Sequence, residues 1–292
     1  MKALRSSGWY VLFTAPLLFI FITVVVLPFI IGIGYAFFIW DGLPLNPKIW
    51  AGLSNFSRMA GDDRFLVSLG YTVLFTLFSI VFINILGLAF ALVVTAKLKI
   101  RNIARTMLFA PYMIGGLILG YIWKFILGDA FKAIGETTGL SLIFFNWLLH
   151  PGAALAALSV VTTWQMAGYI MIIYITGIQS IPEEVIEAAH IDGAGFWATL
   201  LKIRFPLIMQ AFTICLFLSL SSCFKIFDVN LSLTGGGPYN STELFAMNIY
   251  HEIFFLNNYG YGQAKAIVFF VIIALVSAVQ VSITKKREVE IK

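Results

Sequence analysis

The sequence predicts an all-α, polytopic membrane protein: six transmembrane helices joined to a helical loop on the cytoplasmic side. Three observations carry that prediction. Of the 292 residues, 60% are hydrophobic and 11% are charged, against about a quarter charged in soluble domains. Six stretches between flanking charged residues are long enough to cross a hydrocarbon core about 30 Å thick, which needs about 20 helical residues. Those stretches are continuously apolar, whereas barrel strands alternate in polarity over segments of about ten residues. The same composition excludes a disordered chain. It also excludes a disulfide scaffold, because the two cysteines, Cys215 and Cys223, sit inside apolar runs and read as small apolar residues.

The predicted spans are 9–40, 65–96, 106–123, 151–180, 206–224 and 266–284, with Trp9, Trp40 and Trp123 near their ends as interfacial anchors. The first run follows Lys2 and Arg5 as a signal peptide would. It stays uncharged from 6 to 40 and has no A-x-A site before Asp41, so it is read as retained. It is longer than one crossing, and Pro16 and Pro28 are expected to divide it into a shallow interfacial piece and a crossing piece.

With both termini on one side, that side carries twelve of the nineteen basic residues, clustered at Lys97 to Arg105 and at Lys285 to Arg287. The positive-inside bias then places the termini in the cytoplasm. The net charge of +5 is therefore a signal of topology and not of a nucleic-acid partner. The outer connections are 41–64, 124–150 and 225–265.

The inner connection 181–205 has the signals of a folded element. Ser180 and Glu183 have capping-box spacing, Pro182 suits a first turn, and Glu183, Glu184 and Glu187 put negative charge near the positive end of a helix. Gly193 and Gly195 supply a turn. A second amphipathic helix with Phe196, Trp197, Leu200 and Leu201 is expected to run until Pro206. A loop that happens to be helical accounts for the pattern too. However, Ala188 and Ala189 leave a low-relief surface beside the charged Glu187, which fits a groove in a partner.

The string Glu187-Ala188-Ala189, three residues, Gly193, nine residues, Ile203, one residue, Phe205-Pro206 resembles the EAA loop of bacterial ABC importer permeases, with Phe205 where that family has Leu. Ile181-Pro-Glu-Glu and Ala188-Ala-His-Ile-Asp192-Gly-Ala are similar to its carbohydrate-uptake branch, the maltose, glycerol-3-phosphate and multiple-sugar type. So are Phe227-Asp228, Leu233-Thr-Gly-Gly-Gly-Pro238, Ser241-Thr242 and Tyr259-Gly-Tyr-Gly262.

The resemblance implies one permease domain over 1–292 in a bacterial inner membrane. It also implies a second homologous permease, two ATPase subunits that hold ATP and Mg, and an extracytoplasmic solute-binding protein. Glu187, Ala188, Ala189, Asp192, Gly193, Ile203 and Pro206 would then couple the spans to an ATPase. Thr234, Gly235, Gly236, Gly237 and Pro238 would belong to the outer surface where the binding protein docks. No cofactor is implied for this chain, and no catalytic residue.

Polar residues inside a bilayer usually face protein interior. Asn84, Tyr112, Gln165, Ser219, Ser221, Ser222 and Asn230 are the candidates to contact a hydrophilic solute, with Trp123 and Trp164 as stacking surfaces. Hydrogen bonding between helices explains each of them singly as well. Together they offer what a neutral sugar needs, namely aromatic faces for its C–H surfaces and partners for its hydroxyls. Lys225 and Asp228 are expected to pair on one helix. Gly87, Gly115 and Gly116 read as close-packing positions. His150, His190 and His251 have no second ligand at metal spacing, so no metal site is expected.

Three function classes compete. A transport subunit driven by ATP hydrolysed elsewhere fits the absence of a G-x-x-x-x-G-K-[ST] loop. A secondary transporter would show ionisable groups within its spans. A membrane enzyme would need a cluster of His, Cys and acidic residues.

Overall fold

The computed structural model describes residues 2–96 and 100–288, with side chains from residue 11 onward. Lys97, Lys99, Lys292 and the side chains of Lys2, Arg5 and Trp9 therefore lie outside the described residues. The chain order begins with α1 (Lys2–Phe21), a π-helical turn (Ile22–Val26), α2 (Leu27–Tyr35) and the two-residue strands β1 (Phe38–Ile39) and β2 (Ile49–Trp50). Next come α3 (Ser54–Arg58), α4 (Asp63–Thr95), α5 (Arg101–Met113), α6 (Gly116–Phe125), α7 (Phe131–Thr138) and α8 (Pro151–Gln179). The rest are α9 (Glu183–Ile191), α10 (Phe196–Thr199), α11 (Phe205–Leu207), α12 (Met209–Phe224), α13 (Asp228–Leu233), α14 (Phe245–Phe254) and α15 (Tyr259–Lys285). The all-α membrane architecture is as expected.

Among the described residues four helical stretches are long and apolar enough to cross a membrane: Val11–Tyr35, Asp63–Thr95, Pro151–Gln179 and Tyr259–Lys285. Two bent pairs bring the number to six when each counts as one span. Arg101–Met113 meets Gly116–Thr138 at 96°, and Phe196–Leu207 meets Met209–Phe224 at 75°. The third and fifth predicted spans, 106–123 and 206–224, thus each contain a sharp bend that their bounds did not indicate. In the third, Pro111 removes one donor from the last turn of α5, Ile114 is extended (φ −80°, ψ 127°), and Gly115 starts α6 as its N-cap. Gly115 has nothing within 4 Å of a Cβ position, so it serves the bend and not close packing.

The expected division at Pro16 and Pro28 is absent, because the helix passes through both. The π-helical turn Ile22–Val26 ends just before Pro28, and the Leu27 N–H bonds back to the Ile22 carbonyl. A proline gives no N–H to the preceding turn and crowds its carbonyl, and a widened turn ahead of it lets the helix continue. The same device recurs at Leu200–Arg204, where the Phe205 N–H bonds to the Leu200 carbonyl ahead of Pro206. The helix expected to stop at Pro206 therefore runs to Leu207 and breaks at Ile208 (φ −93°, ψ 12°).

Contacts divide the chain into two compact units, Met1–Asp63 with Ile249–Phe270, and Arg64–Asn248 with Val271–Lys292. In the first, the Phe29 and Phe270 rings pack tilted with centres 5.0 Å apart. The Asn55 amide donates to the Ala36 and Phe38 carbonyls at 2.8 and 3.0 Å. Asp41 accepts the Leu43 backbone N–H and the Asn46 side-chain amide, which hold its carboxyl below its ordinary pKa. An ionic cluster is buried in this unit. Lys265, with 0% of its side chain exposed, sits 2.8 Å from Glu252 and 2.9 Å from Asp62. Tyr261 donates to Asp62 at 2.7 Å, and Asn258 donates to Glu252 at 2.8 Å. Gly260 lies so close to the Phe38 carbonyl that a Cβ would fall 1.9 Å from its oxygen, which explains a glycine in the Tyr259-Gly-Tyr-Gly262 string.

The second unit packs α4, α8 and α12 around Phe75, Ile83, Leu158, Val161, Ile170, Met171 and Cys215. α5 and α8 pack at main-chain distance, since a Cβ on Gly168 would fall 2.0 Å from the Leu108 carbonyl oxygen. A buried network ties three helices together. Tyr174 donates to Asn84 Oδ1 at 2.8 Å, and Asn84 Nδ2 donates to Ser219 Oγ at 3.0 Å. Elsewhere in the unit Arg64 and Glu243 form an ion pair at 2.9 Å.

Candidate functional site

The loop 181–205 begins with a correction. Ser180 does not cap α9, because α8 runs to Gln179 and leaves Ser180 helical as its C-cap, with the hydroxyl donating to the Gly177 carbonyl at 2.8 Å. Pro182 takes the N-cap position instead, and Glu183 and Glu184 form the first turn. α9 ends as the two glycines suggest. The Gly193 N–H bonds to the His190 carbonyl at 3.1 Å and the Ala194 N–H to the Ala189 carbonyl at 2.9 Å, the paired bonds of a Schellman end. They need a left-handed residue, and Gly193 has φ +75°.

Glu187 and Ala188 are exposed and Ala189 is buried, so one alanine faces outward and the other packs inward. Asp192 is exposed, and Ile203 and Pro206 are half-buried. Beside them stand exposed apolar side chains, Ile191 (86%), Phe196, Trp197 (70%) and Leu201.

Around the broken third span lies a cavity of about 290 Å³. Tyr112, Gly116, Thr162, Gln165, Met166, Ser222 and the stretch Lys225 to Val229 line it. Three of the expected path residues, Tyr112, Gln165 and Ser222, thus share one space. Gln165 donates to the Ile114 carbonyl at 3.1 Å, and Tyr112 stacks on Tyr169 with ring centres 4.5 Å apart. Thr162 is buried with no hydrogen-bond partner for its hydroxyl. Lys225 and Asp228 do not pair. Lys225 ends α12 and Asp228 begins α13, so they are not on one helix, and neither has an ion-pair or side-chain hydrogen-bond partner among the described residues.

The other candidates lie elsewhere. Asn84 and Ser219 are closed in the network with Tyr174, and Ser221 is half-buried away from the cavity lining. Trp123 and Trp164 pack edge to face at 5.4 Å, with Trp164 on a separate apolar surface. Asn230 is fully buried and anchors the outer loop, accepting from Thr234 Oγ1 at 2.9 Å through its side chain and from the Gly235 N–H at 2.9 Å through its main chain. Gly235 and Gly236 take φ +60° and +86°, and the Thr242 hydroxyl donates to the Gly237 carbonyl at 2.6 Å. Past Pro238 this folded knuckle presents Tyr239, 92% exposed. Sequence reasoning missed Thr162 and Met166, although Thr162, Gln165 and Met166 have the spacing of one helix face.

Residues 83–289 match the family described as "Binding-protein-dependent transport system inner membrane component". The chain belongs to that family. It is an inner-membrane permease subunit of an ABC importer and not itself the ATPase. The permease is 46% identical over 99% of its length to the probable starch degradation products transport system permease protein AmyD of Thermoanaerobacterium thermosulfurigenes, covering 98% of that protein. It is 33% identical to the multiple sugar-binding transport system permease protein MsmF of Streptococcus mutans, over 90% of each chain. A chain in the crystal structure of a bacterial ABC transporter that imports the acidic polysaccharide alginate matches with a TM-score of 0.82, over 98% of this permease and 99% of that chain. At 19% identity that likeness shows a shared fold.

Proposed function

We propose that the permease forms half of the path for a neutral oligosaccharide of the kind starch breakdown releases, and that the cavity around the broken third span contacts it. The observation that carries this reading is the lining itself. Tyr112, Gln165, Ser222 and the unpartnered Thr162 hydroxyl meet there beside two unpaired opposite charges. Hydroxyls and amides partner sugar hydroxyls, and a ring face suits the sugar's C–H surface. Asp228 offsets Lys225, so the lining has no net positive field to favour a polyanion. The similarity to AmyD supports the choice of sugar.

In this reading a solute-binding protein delivers the sugar at the outer loop around Tyr239, and a second permease completes the path. Two ATPases carrying ATP and Mg take the α9 surface, with Glu187 as the polar contact and Ile191 and Trp197 as apolar anchors. Both termini lie in the cytoplasm. Cysteines placed at Asn102 and Asn240, in a chain lacking Cys215 and Cys223, then label from opposite sides of intact cells, and labelling of both from outside contradicts the orientation. The substrate is tested by uptake of labelled maltotriose in cells with and without the permease gene. Uptake that depends on the gene is expected, and equal uptake in both contradicts the proposal.

A further inference from the structure

A second cavity of about 340 Å³ lies beside α9, lined by Leu92, Thr95 and Ala96, which end α4 and follow it, Ile178 of α8, His190 of α9, and Phe196, Thr199, Leu200 and Arg204. Its walls are apolar at Leu92, Ile178, Phe196 and Leu200. Its polar groups are of one character. The Thr95 hydroxyl is satisfied by the Ala91 and Leu92 carbonyls at 2.8 and 3.2 Å. Thr199 is 3% exposed, and its hydroxyl has no hydrogen-bond partner. Arg204 is a half-buried residue and His190 an exposed one, and neither side chain has an ion pair or hydrogen bond among the described residues. The buried Thr199 hydroxyl is left unbonded, which is destabilising, and Arg204 brings an unpaired positive charge to the same lining. The shared requirement of these groups is an anion with several acceptor oxygens.

We infer that this cavity binds the phosphate of an anionic phospholipid from the cytoplasmic leaflet. Arg204 would take two phosphate oxygens with its planar fork, Thr199 would donate a hydroxyl, and the apolar wall would cover the first carbons of the acyl chains. Three things favour a lipid over a free anion. The cavity opens where α4 and α8 end, its walls are largely hydrocarbon, and basic pockets at the cytoplasmic ends of spans are where anionic head groups bind. The inference rests on the proposed orientation, which puts this end in the cytoplasm. A lipid seated there would lie between α9 and the ends of α4 and α8.

The test is lipid retention by the purified full-length permease in native mass spectrometry, after incubation with phosphatidylglycerol, phosphatidylcholine or inorganic phosphate. Preferential retention of phosphatidylglycerol is expected, weakened about tenfold by Arg204→Gln and less by Thr199→Val, with Lys202→Gln unchanged as a control of equal charge. Thr199→Val keeps the side chain's shape, so it carries the test if Arg204→Gln fails to fold. Equal retention of the two lipids, phosphate binding without lipid preference, or an equal loss with Lys202→Gln would overturn the inference. ATPase co-purification measured on the same samples separates this outcome from failure of the coupling role, since lipid preference does not require ATPase binding.

Discussion

Gln165 donates its side-chain amide to the main-chain carbonyl of Ile114 at 3.1 Å, so a polar residue of α8 satisfies the backbone oxygen freed by the break between α5 and α6. In a hydrocarbon environment a broken helix is tolerated only where other protein groups satisfy its freed carbonyls. Gln165→Leu removes that donor and keeps similar bulk. It should cost about 1–3 kcal/mol of stability, read as a lowered thermal midpoint in detergent. An unchanged midpoint would show that the break needs no such support.

The buried network and the cavity predict opposite kinetic signatures. Tyr174→Phe leaves Asn84 Oδ1 without its donor and should destabilise by about 1 kcal/mol, with the KM for sugar unchanged. Ser222→Ala, on the cavity wall, should raise KM by about 2- to 10-fold and leave the thermal midpoint within error. The reverse pattern would exchange the two roles.

At the end of α9 the left-handed Gly193 should not accept a branched side chain. Nothing lies within 4 Å of its Cβ position, so the obstacle is backbone conformation and not space. Gly193→Leu adds roughly 1–2 kcal/mol of local strain, which opens the Schellman end and reorients α9. The variant should reach the membrane, bind the ATPases weakly and lose uptake. Wild-type uptake with normal ATPase association would remove the loop from the coupling mechanism.

Lys265 stands between two carboxylates with its side chain fully buried. Lys265→Met leaves Glu252 and Asp62 facing each other without their cation, and removal of one partner from a buried ion pair costs about 3–5 kcal/mol. Expression should fall and the protein should unfold at lower temperature. Wild-type stability would mean that the carboxylates find other partners.

What the sequence revealed follows the range of each interaction. Apolar runs report burial in lipid, so the segments of α4, α8 and α15 were legible from hydropathy, and the turn at Gly193 was legible because only local conformation decides it. The breaks at Ile114 and Ile208 were not, since Gln165, distant in sequence, stabilises the first, and a widened turn moves the second beyond Pro206. The Lys225–Asp228 pairing failed because it assumed one helix where α12 ends and α13 begins. The Lys265 cluster joins Asp62, Glu252 and Tyr261 from both ends of the chain, and no spacing rule connects them.

This permease is expected to move a neutral oligosaccharide only as part of an ATP-driven assembly fed from outside by a binding protein. Reconstitution in proteoliposomes tests it most directly, with labelled maltotriose outside and ATP with Mg inside. Uptake should require this permease, the second permease, both ATPases and the binding protein together, and should stop when any one is omitted. Uptake by this chain alone would contradict the account, as would a complete assembly that ignores maltotriose and transports amino acids or metal ions.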